Sequence, residues 1–241
     1  MTTSVPQHKE LQRIVEIVRS ITFPEFYPST EPLQLQLRAV LTYQLSTVID
    51  DGDRAMAMAC EFIKTLPEII DLLHTDVDAV LSNDPAVESR AEVVYCYPLT
   101  TVMLHYRVAH QLLLMGVPLL PRMLTEMAHS ATGVDIHPAA TIGDHFCIDH
   151  GTGVVIGATS IIGSNVVIYQ GVTLGAKNII HDNDGNPIDE PRHPIIEDNV
   201  TIYSNTSVLG RITIGHDTVV GGNIWLTHDV PPHSRILQHN V

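Results

Sequence analysis

The second half of the chain carries aliphatic residues at a spacing of six, and so short a period specifies a coil of backbone. Ile136, Ile142, Ile148 and Val154 form a first run; after a two-residue slip come Ile156, Ile162, Ile168 and Leu174; after an excursion come Ile196, Ile202, Val208, Ile214, Val220 and Leu226. Most are followed by Gly or a small polar residue, as in Ile142-Gly143, Ile162-Gly163 and Ile214-Gly215. Each rung is a short strand and a turn: the aliphatic side chain fills a narrow prism, and a small residue turns the corner where a bulky one would crowd the backbone. Amphipathic helices and antiparallel sandwiches give periods of about 3.6 or 2 and do not keep a strict six. Three rungs close one coil, which predicts a parallel β-helix of about four to five coils.

The first half reads differently. Leu99, Val102, Met103, Tyr106, His110, Leu113 and Leu114 follow helical spacing, with Pro98 near a start and Gly116 and Pro118 as a stop. Segments near 8–21, 33–50 and 53–81 carry the same period, broken at Asp51-Gly52. The expected class is therefore α+β: a helical domain over residues 1–130, then a β-helix over 131–241. Within the latter, the turn-rich stretches Gly175-Ala176-Lys177-Asn178, Asp182 to Pro187 and Pro191-Arg192-His193-Pro194 cannot occupy rungs. They predict a loop leaving the coil over about 176–194, and insertions into solenoids often carry the binding surface.

Composition narrows the function classes. Twenty-seven acidic against thirteen basic residues give a net charge of −14, which opposes non-specific binding to nucleic acid or an anionic membrane. A phosphate-bearing ligand needs local help, for which Lys177, Arg192, Arg211 and Arg235 are available in the repeat half. The cysteines, Cys60, Cys96 and Cys147, are odd in number and lack metal-ligand spacing, so neither a disulfide framework nor a zinc ribbon is expected. No signal-peptide run opens the chain, and no apolar stretch is long enough to span a bilayer. The expectation is a cytoplasmic protein.

The chemistry-bearing segment is Ile148-Asp149-His150-Gly151-Thr152-Gly153, where the repeat slips. His150 has an adjacent carboxylate and flanking glycines that leave room for a ligand. Asp135 lies 15 residues earlier, close to one coil of about 18 residues, so it should sit roughly one layer from His150. A carboxylate there can fix the imidazole tautomer and stabilise its protonated form, as a general base requires.

The run Gly133 to Gly143, the Asp149-His150-Gly-Thr-Gly153 segment, the rung Gln170 to Gly175 and Arg192-His193-Pro194 together resemble the serine O-acetyltransferases of the hexapeptide acyltransferases. The resemblance reaches back to Asn83-Asp84-Pro85-Ala86, covering about 84–235. It implies a left-handed β-helix in which His150 takes the proton of the serine hydroxyl with Asp135 as dyad partner. Asp84 and Asp149 would hold the substrate ammonium, Arg192 its carboxylate, and His193 would face the substrate. Acetyl-CoA is the implied co-substrate, lying near Gly175, Ala176, Ser204 and Gly222, with no metal in the chemistry. Homotrimers or dimers of trimers, with sites between neighbouring coils, and competitive inhibition by L-cysteine are implied too. Two departures from the family pattern stand out. The loop before Arg192 is long and acidic, with Asp182, Asp184, Asp189 and Glu190, and the chain stops at Gln238-His239-Asn240-Val241 without the long tail by which many relatives bind cysteine synthase. A stable complex with that enzyme is accordingly not expected.

Three other readings remain at this point. Another acetyl-CoA-dependent O- or N-acetyltransferase, acting on a different amino acid or a sugar, would keep the coil and a His base without needing Asp84, Asp149 and Arg192. A β-helix zinc carbonic anhydrase would use three His ligands, for which His145 and His150 supply an H-x4-H pair without an obvious third. A non-catalytic scaffold would need only the repeat.

Overall fold

A computed structural model describes residues 5–178, 181, 182, 184–186, 188 and 190–238. Of the expected acidic loop, Asp189 lies outside the described residues, as do residues 239–241 of the chain end. Six helices come first: α1 (His8–Thr22), α2 (Leu33–Leu45), α3 (Gly52–Asn83), α4 (Arg90–Cys96), α5 (Pro98–Leu114) and α6 (Leu120–Thr132). The Asp51 side chain accepts the Arg54 N–H to cap α3, Pro98 sits in the first turn of α5, and α6 stops at Gly133, whose φ of 74° only glycine adopts readily. Pro67 sits inside α3, which nonetheless runs unbroken for 32 residues.

From Asp135 onward the chain winds into a triangular prism of parallel strands. The first face stacks Asp135–Ile136, Val155–Ile156, Thr173–Gly175, Ser207–Leu209 and Trp225–Leu226. The second stacks the strands at 141–142, 161–162, 195–196 and 213–214, and the third those at 147–149, 167–169, 201–202, 219–220 and 235–236. All fourteen residues of the six-residue ladder are buried, which is the reason for the period. The slip is visible in the register. Asp135 pairs with Val155, 20 residues on, whereas Val155 pairs with Thr173 and Ser207 with Trp225, each 18 residues on. Val154 fills the prism from a corner turn, and Ile156 takes the rung. The excursion is a true loop, because pairing resumes across it: Thr173 with Ser207 and Ile161 with Ile195.

Along the prism each coil donates its N–H groups to carbonyls of the next, as in Thr141 to Ser160 and Gly143 to Ile162. The first coil therefore has carbonyls with no coil in front of them. Helix α5 supplies the missing donors. The Tyr106 hydroxyl donates to the Ala140 carbonyl at 2.5 Å, Arg107 donates to those of Ile142 and Gly143, each at 2.6 Å, and the His110 ring lies 2.7 Å from that of Pro138. Arg107 is itself held by Asp76 of α3 through contacts of 2.9 and 3.2 Å, with both side chains buried. The helical half thus caps the open end of the solenoid, which a coil cannot do for itself.

Candidate active site

The slip is the structural origin of the exposed histidine. At the corner between the third and first faces, later coils turn through one left-handed residue each: Gly171, Asn205 and Asn223. The first coil makes that turn at Gly153, whose backbone stacks on Gly171, and has two further residues, His150 and Gly151, with φ of 57° and 86°. His150 is thus one of two residues inserted into the corner. The bulge pushes it out of the prism, leaving its side chain 70% exposed, in a conformation that costs a non-glycine residue about 1–2 kcal/mol. Asp149, the last strand residue before the bulge, places its carboxylate 3.9 Å from the His150 ring.

Asp84 reaches the same pocket from the helical half. Because Pro85 disfavours helical backbone at the residue before it, α3 ends at Asn83 and Asp84 is extended. One Asp84 oxygen accepts the Ala86 N–H at 2.8 Å and the other accepts the Tyr97 hydroxyl at 2.5 Å. The Tyr97 bond first, and the Ala86 bond second, hold the Asp84 carboxyl below the usual carboxylate range, so it is ionised at neutral pH. Asp84, Asp149 and His150 line one open pocket with Cys96, Tyr97, Pro98 and Thr152. From it a ladder of hydrogen bonds runs along the corner: Gly171 N–H to Thr152, Asn205 N–H to Gln170, Asn223 N–H to Ser204. Ser204 and Gly222 stack there on successive coils, and a Cβ on Gly222 would come within 3.0 Å of the Ser204 carbonyl. Tyr169, the register partner of Asp149, stacks on Tyr203 beside this ladder at 4.8 Å.

Arg192 and His193 lie elsewhere. The loop returns to the prism at the corner between the first and second faces, where the Thr159 hydroxyl accepts the backbone N–H groups of Arg192 (2.9 Å) and His193 (3.0 Å). The His193 ring is buried, and its Nδ1 accepts the Thr159 N–H at 3.1 Å, so in the neutral ring the proton sits on Nε2. Burial first, then Arg192, His137 and Arg211, push His193 down to about 4, which keeps it neutral at physiological pH. Arg211 ties the return segment down by donating to the carbonyls of Thr159 and His193, so it serves the loop's anchorage, where the sequence offered it as a phosphate contact. Gly175 ends the strand Thr173–Gly175, and Ala176 follows it into this same corner. The ten candidate residues therefore fall into two groups on opposite edges of the first face, save Asp135, which lies on the face itself and meets Arg122 at 3.4 Å. Asp135 is one layer from the His150 bulge, since Gly153 N–H donates to the Gly133 carbonyl, yet no hydrogen bond joins the two side chains among the described residues.

Sequence reasoning missed three supports. Tyr97 orients Asp84, Thr159 holds both loop residues, and Gly157 makes room for the His193 ring, a Cβ there falling 1.9 Å from ring carbon Cδ2. The only local signal was the run of small residues Gly157-Ala158-Thr159 between the rungs of Ile156 and Ile162. Gly157→Ala is expected to expel the ring and cost about 1–3 kcal/mol of stability, as overpacking does. Denaturant titration of that variant, with Gly52→Ala, where a Cβ meets nothing, as control, measures it.

The H-x4-H pair separates as well. His145 sits at the corner between the second and third faces, 3.5 Å from Asp144, and His150 at the next corner, so they do not form one metal site.

No protein-family model matches the chain. Among curated proteins it is 51% identical over 191 residues to a plasmid-encoded serine acetyltransferase of Synechococcus elongatus, covering 79% of this chain and 60% of that protein's length. It is 39% identical over 169 residues to a serine acetyltransferase of Mycobacterium tuberculosis, covering 70% of each. Among solved structures, serine acetyltransferase 1 of Entamoeba histolytica in complex with L-cysteine superposes with a TM-score of 0.84 at 32% identity, over 98% of this chain and 88% of that one.

Proposed function

The chain belongs to the serine acetyltransferase family, and on that footing we propose that it moves the acetyl group of acetyl-CoA onto the hydroxyl of L-serine, giving O-acetylserine and CoA. The observation that carries this reading is the convergence of Asp84, Asp149 and the exposed His150 on one pocket. A pair of carboxyl groups suits an ammonium group, and an imidazole beside it suits removal of a hydroxyl proton. His150 takes that proton as the serine oxygen attacks the thioester carbon. The tetrahedral intermediate then collapses with loss of the CoA thiolate, which recovers a proton, and no covalent enzyme intermediate is needed. Asp135, one layer away, is the candidate dyad partner on release from Arg122. Acetyl-CoA lies along the corner ladder past Ser204 and Gly222 and against Gly175 and Ala176, where small side chains admit the pantetheine arm.

Arg192 binds the serine carboxylate, with His193 facing the substrate. Because these residues and His150 occupy opposite edges of one face, we infer that a second copy brings its Arg192 edge to the His150 edge of the first. The outer side of that face supports this, with Val155 and a 71% exposed Trp225 offering apolar surface for packing between prisms in a trimer. L-cysteine, sharing the ammonium and carboxylate of serine, competes for the site. No helix among the described residues is long and apolar enough to cross a membrane, and a cytoplasmic site of action suits the acetyl-CoA supply.

CoA release from acetyl-CoA with L-serine, L-homoserine and a panel of amino sugars tests the acceptor. Serine should dominate; preference for a sugar would replace this reading. Shared sites have their own test. His150→Asn and Arg192→Ala chains, each inactive alone, should recover about a quarter of wild-type activity when mixed and reassembled, since random pairing leaves that share of interfaces intact. Arg192→Lys should raise the KM for serine and leave that for acetyl-CoA nearly unchanged, because lysine keeps charge but loses the two-pronged match to a carboxylate.

A further inference from the structure

At the corner between the second and third faces, on a different edge from His150 and from Arg192, the prism carries a ladder of left-handed residues: His145, Asn165, Asn199, Asp217 and His233. Its last two members meet a third polar side chain. His216 Nδ1 lies 2.7 Å from Asp217 Oδ2, and His233 Nδ1 lies 3.6 Å from the same oxygen. The ring centroids of the two histidines are 4.9 Å apart and nearly perpendicular. All three ligand atoms fall within 4.8 Å of one another. We propose that His216, Asp217 and His233 bind a divalent transition-metal ion that staples the last two coils of the prism together.

The backbone presets this cluster. Asp217 and His233 are equivalent positions of successive coils, as the pairing of Val219 with Arg235 two residues beyond each requires. The His233 N–H donates to the His216 carbonyl at 2.8 Å, and the His216 N–H to a Glu197 carboxylate oxygen at 2.8 Å, so both histidines are held on hydrogen-bonded backbone. Asn199, one coil earlier on the same ladder, donates its side-chain amide to Asp217 Oδ1 at 3.1 Å. That bond orients the carboxylate and leaves Oδ2 toward the histidines, the outer support that metal ligands ordinarily have. Tetrahedral zinc with bonds of about 2.0–2.1 Å spaces its ligand atoms about 3.3 Å apart. The His233 contact is already near that value. The His216 contact need only open by about 0.6 Å as the ion replaces the shared proton, with water filling the open position. Two imidazoles and one carboxylate select zinc, cobalt or nickel over magnesium or calcium. The last coil is shorter than those before it, with Arg235 only 16 residues past its partner Val219, and among the described residues no further strand pairs beyond it. A clamp there stabilises the end of the solenoid that α5 does not cap.

The test is equilibrium dialysis of the full chain against Zn²⁺ and against Co²⁺, with Mg²⁺ and Ca²⁺ as controls, read by metal content, Co²⁺ visible absorption and melting temperature. His233→Asn keeps a residue that accepts the left-handed conformation, as Asn199 does at the same corner, and so is expected to fold. Wild type should take up the ion, show tetrahedral Co²⁺ bands and melt several degrees higher. His233→Asn and His216→Gln should each lose one ion per chain or bind it at least about tenfold more weakly, with acetyl transfer unchanged. His150→Asn should bind as wild type. Absence of Co²⁺ bands in wild type, undiminished binding in both corner variants, or loss of the bands in His150→Asn would each overturn the assignment.

Discussion

Replacing His150 by asparagine should cut turnover by about 10²- to 10⁴-fold, the usual worth of general-base assistance, with little change in melting temperature. The first half follows from position: His150 is the imidazole of the pocket that also holds Asp84 and Asp149. The second follows from the bulge, which keeps the ring out of the core, so no packing is lost and stability should shift by about 0.5 kcal/mol or less. Asparagine tolerates the left-handed backbone, so the variant isolates chemistry from folding. Steady-state CoA release and a thermal melt decide it. Activity above a tenth of wild type would remove His150 from the base role, and a large drop in melting temperature would mean that the bulge carries structural load.

The largest effect on stability is expected at Arg107, far from that chemistry. Arg107→Ala leaves Asp76 buried without its cation and strips donors from the carbonyls of Ile142 and Gly143. Breaking a buried pair from one side typically costs about 3–5 kcal/mol, and the orphaned carbonyls add to that. A double variant, Asp76→Leu with Arg107→Met, should recover only part of the loss, because it removes the stranded charge but cannot cap the first coil. Urea titrations of both variants measure this. Full recovery would show that charge burial alone is at stake and that the capping of the open coil contributes nothing.

Both halves of the molecule were legible for different reasons. Helical spacing through Leu99, Val102, Met103 and Tyr106 marked α5, but nothing in that pattern distinguished Tyr106 and Arg107 from ordinary stripe residues, since their partners are backbone carbonyls about 35 positions away. Asp84 and Arg192 were found through motif likeness. Tyr97 and Thr159, which hold them, were not, because a supporting hydrogen bond leaves no spacing signature. The same holds for His216 and His233, which look in sequence like two solvated turn residues.

By itself the sequence determined the coil, its three rungs per turn, the loop and the place of the slip at Asp149-His150. A strict period of six admits one way to bury an aliphatic residue at every sixth position, so local spacing is enough. Only the tertiary structure decided which residues share a place. Corner positions 15 to 45 residues apart look alike along the chain, and it is the register between coils, shifted by two residues at His150 and by the excursion before Arg192, that sends them to the same edge or to opposite ones. That register put Asp149 and His150 with Asp84, put Arg192 and His193 across the face, and brought His233 over Asp217, because side-chain proximity in a solenoid is set by the stacking of layers and not by distance in sequence.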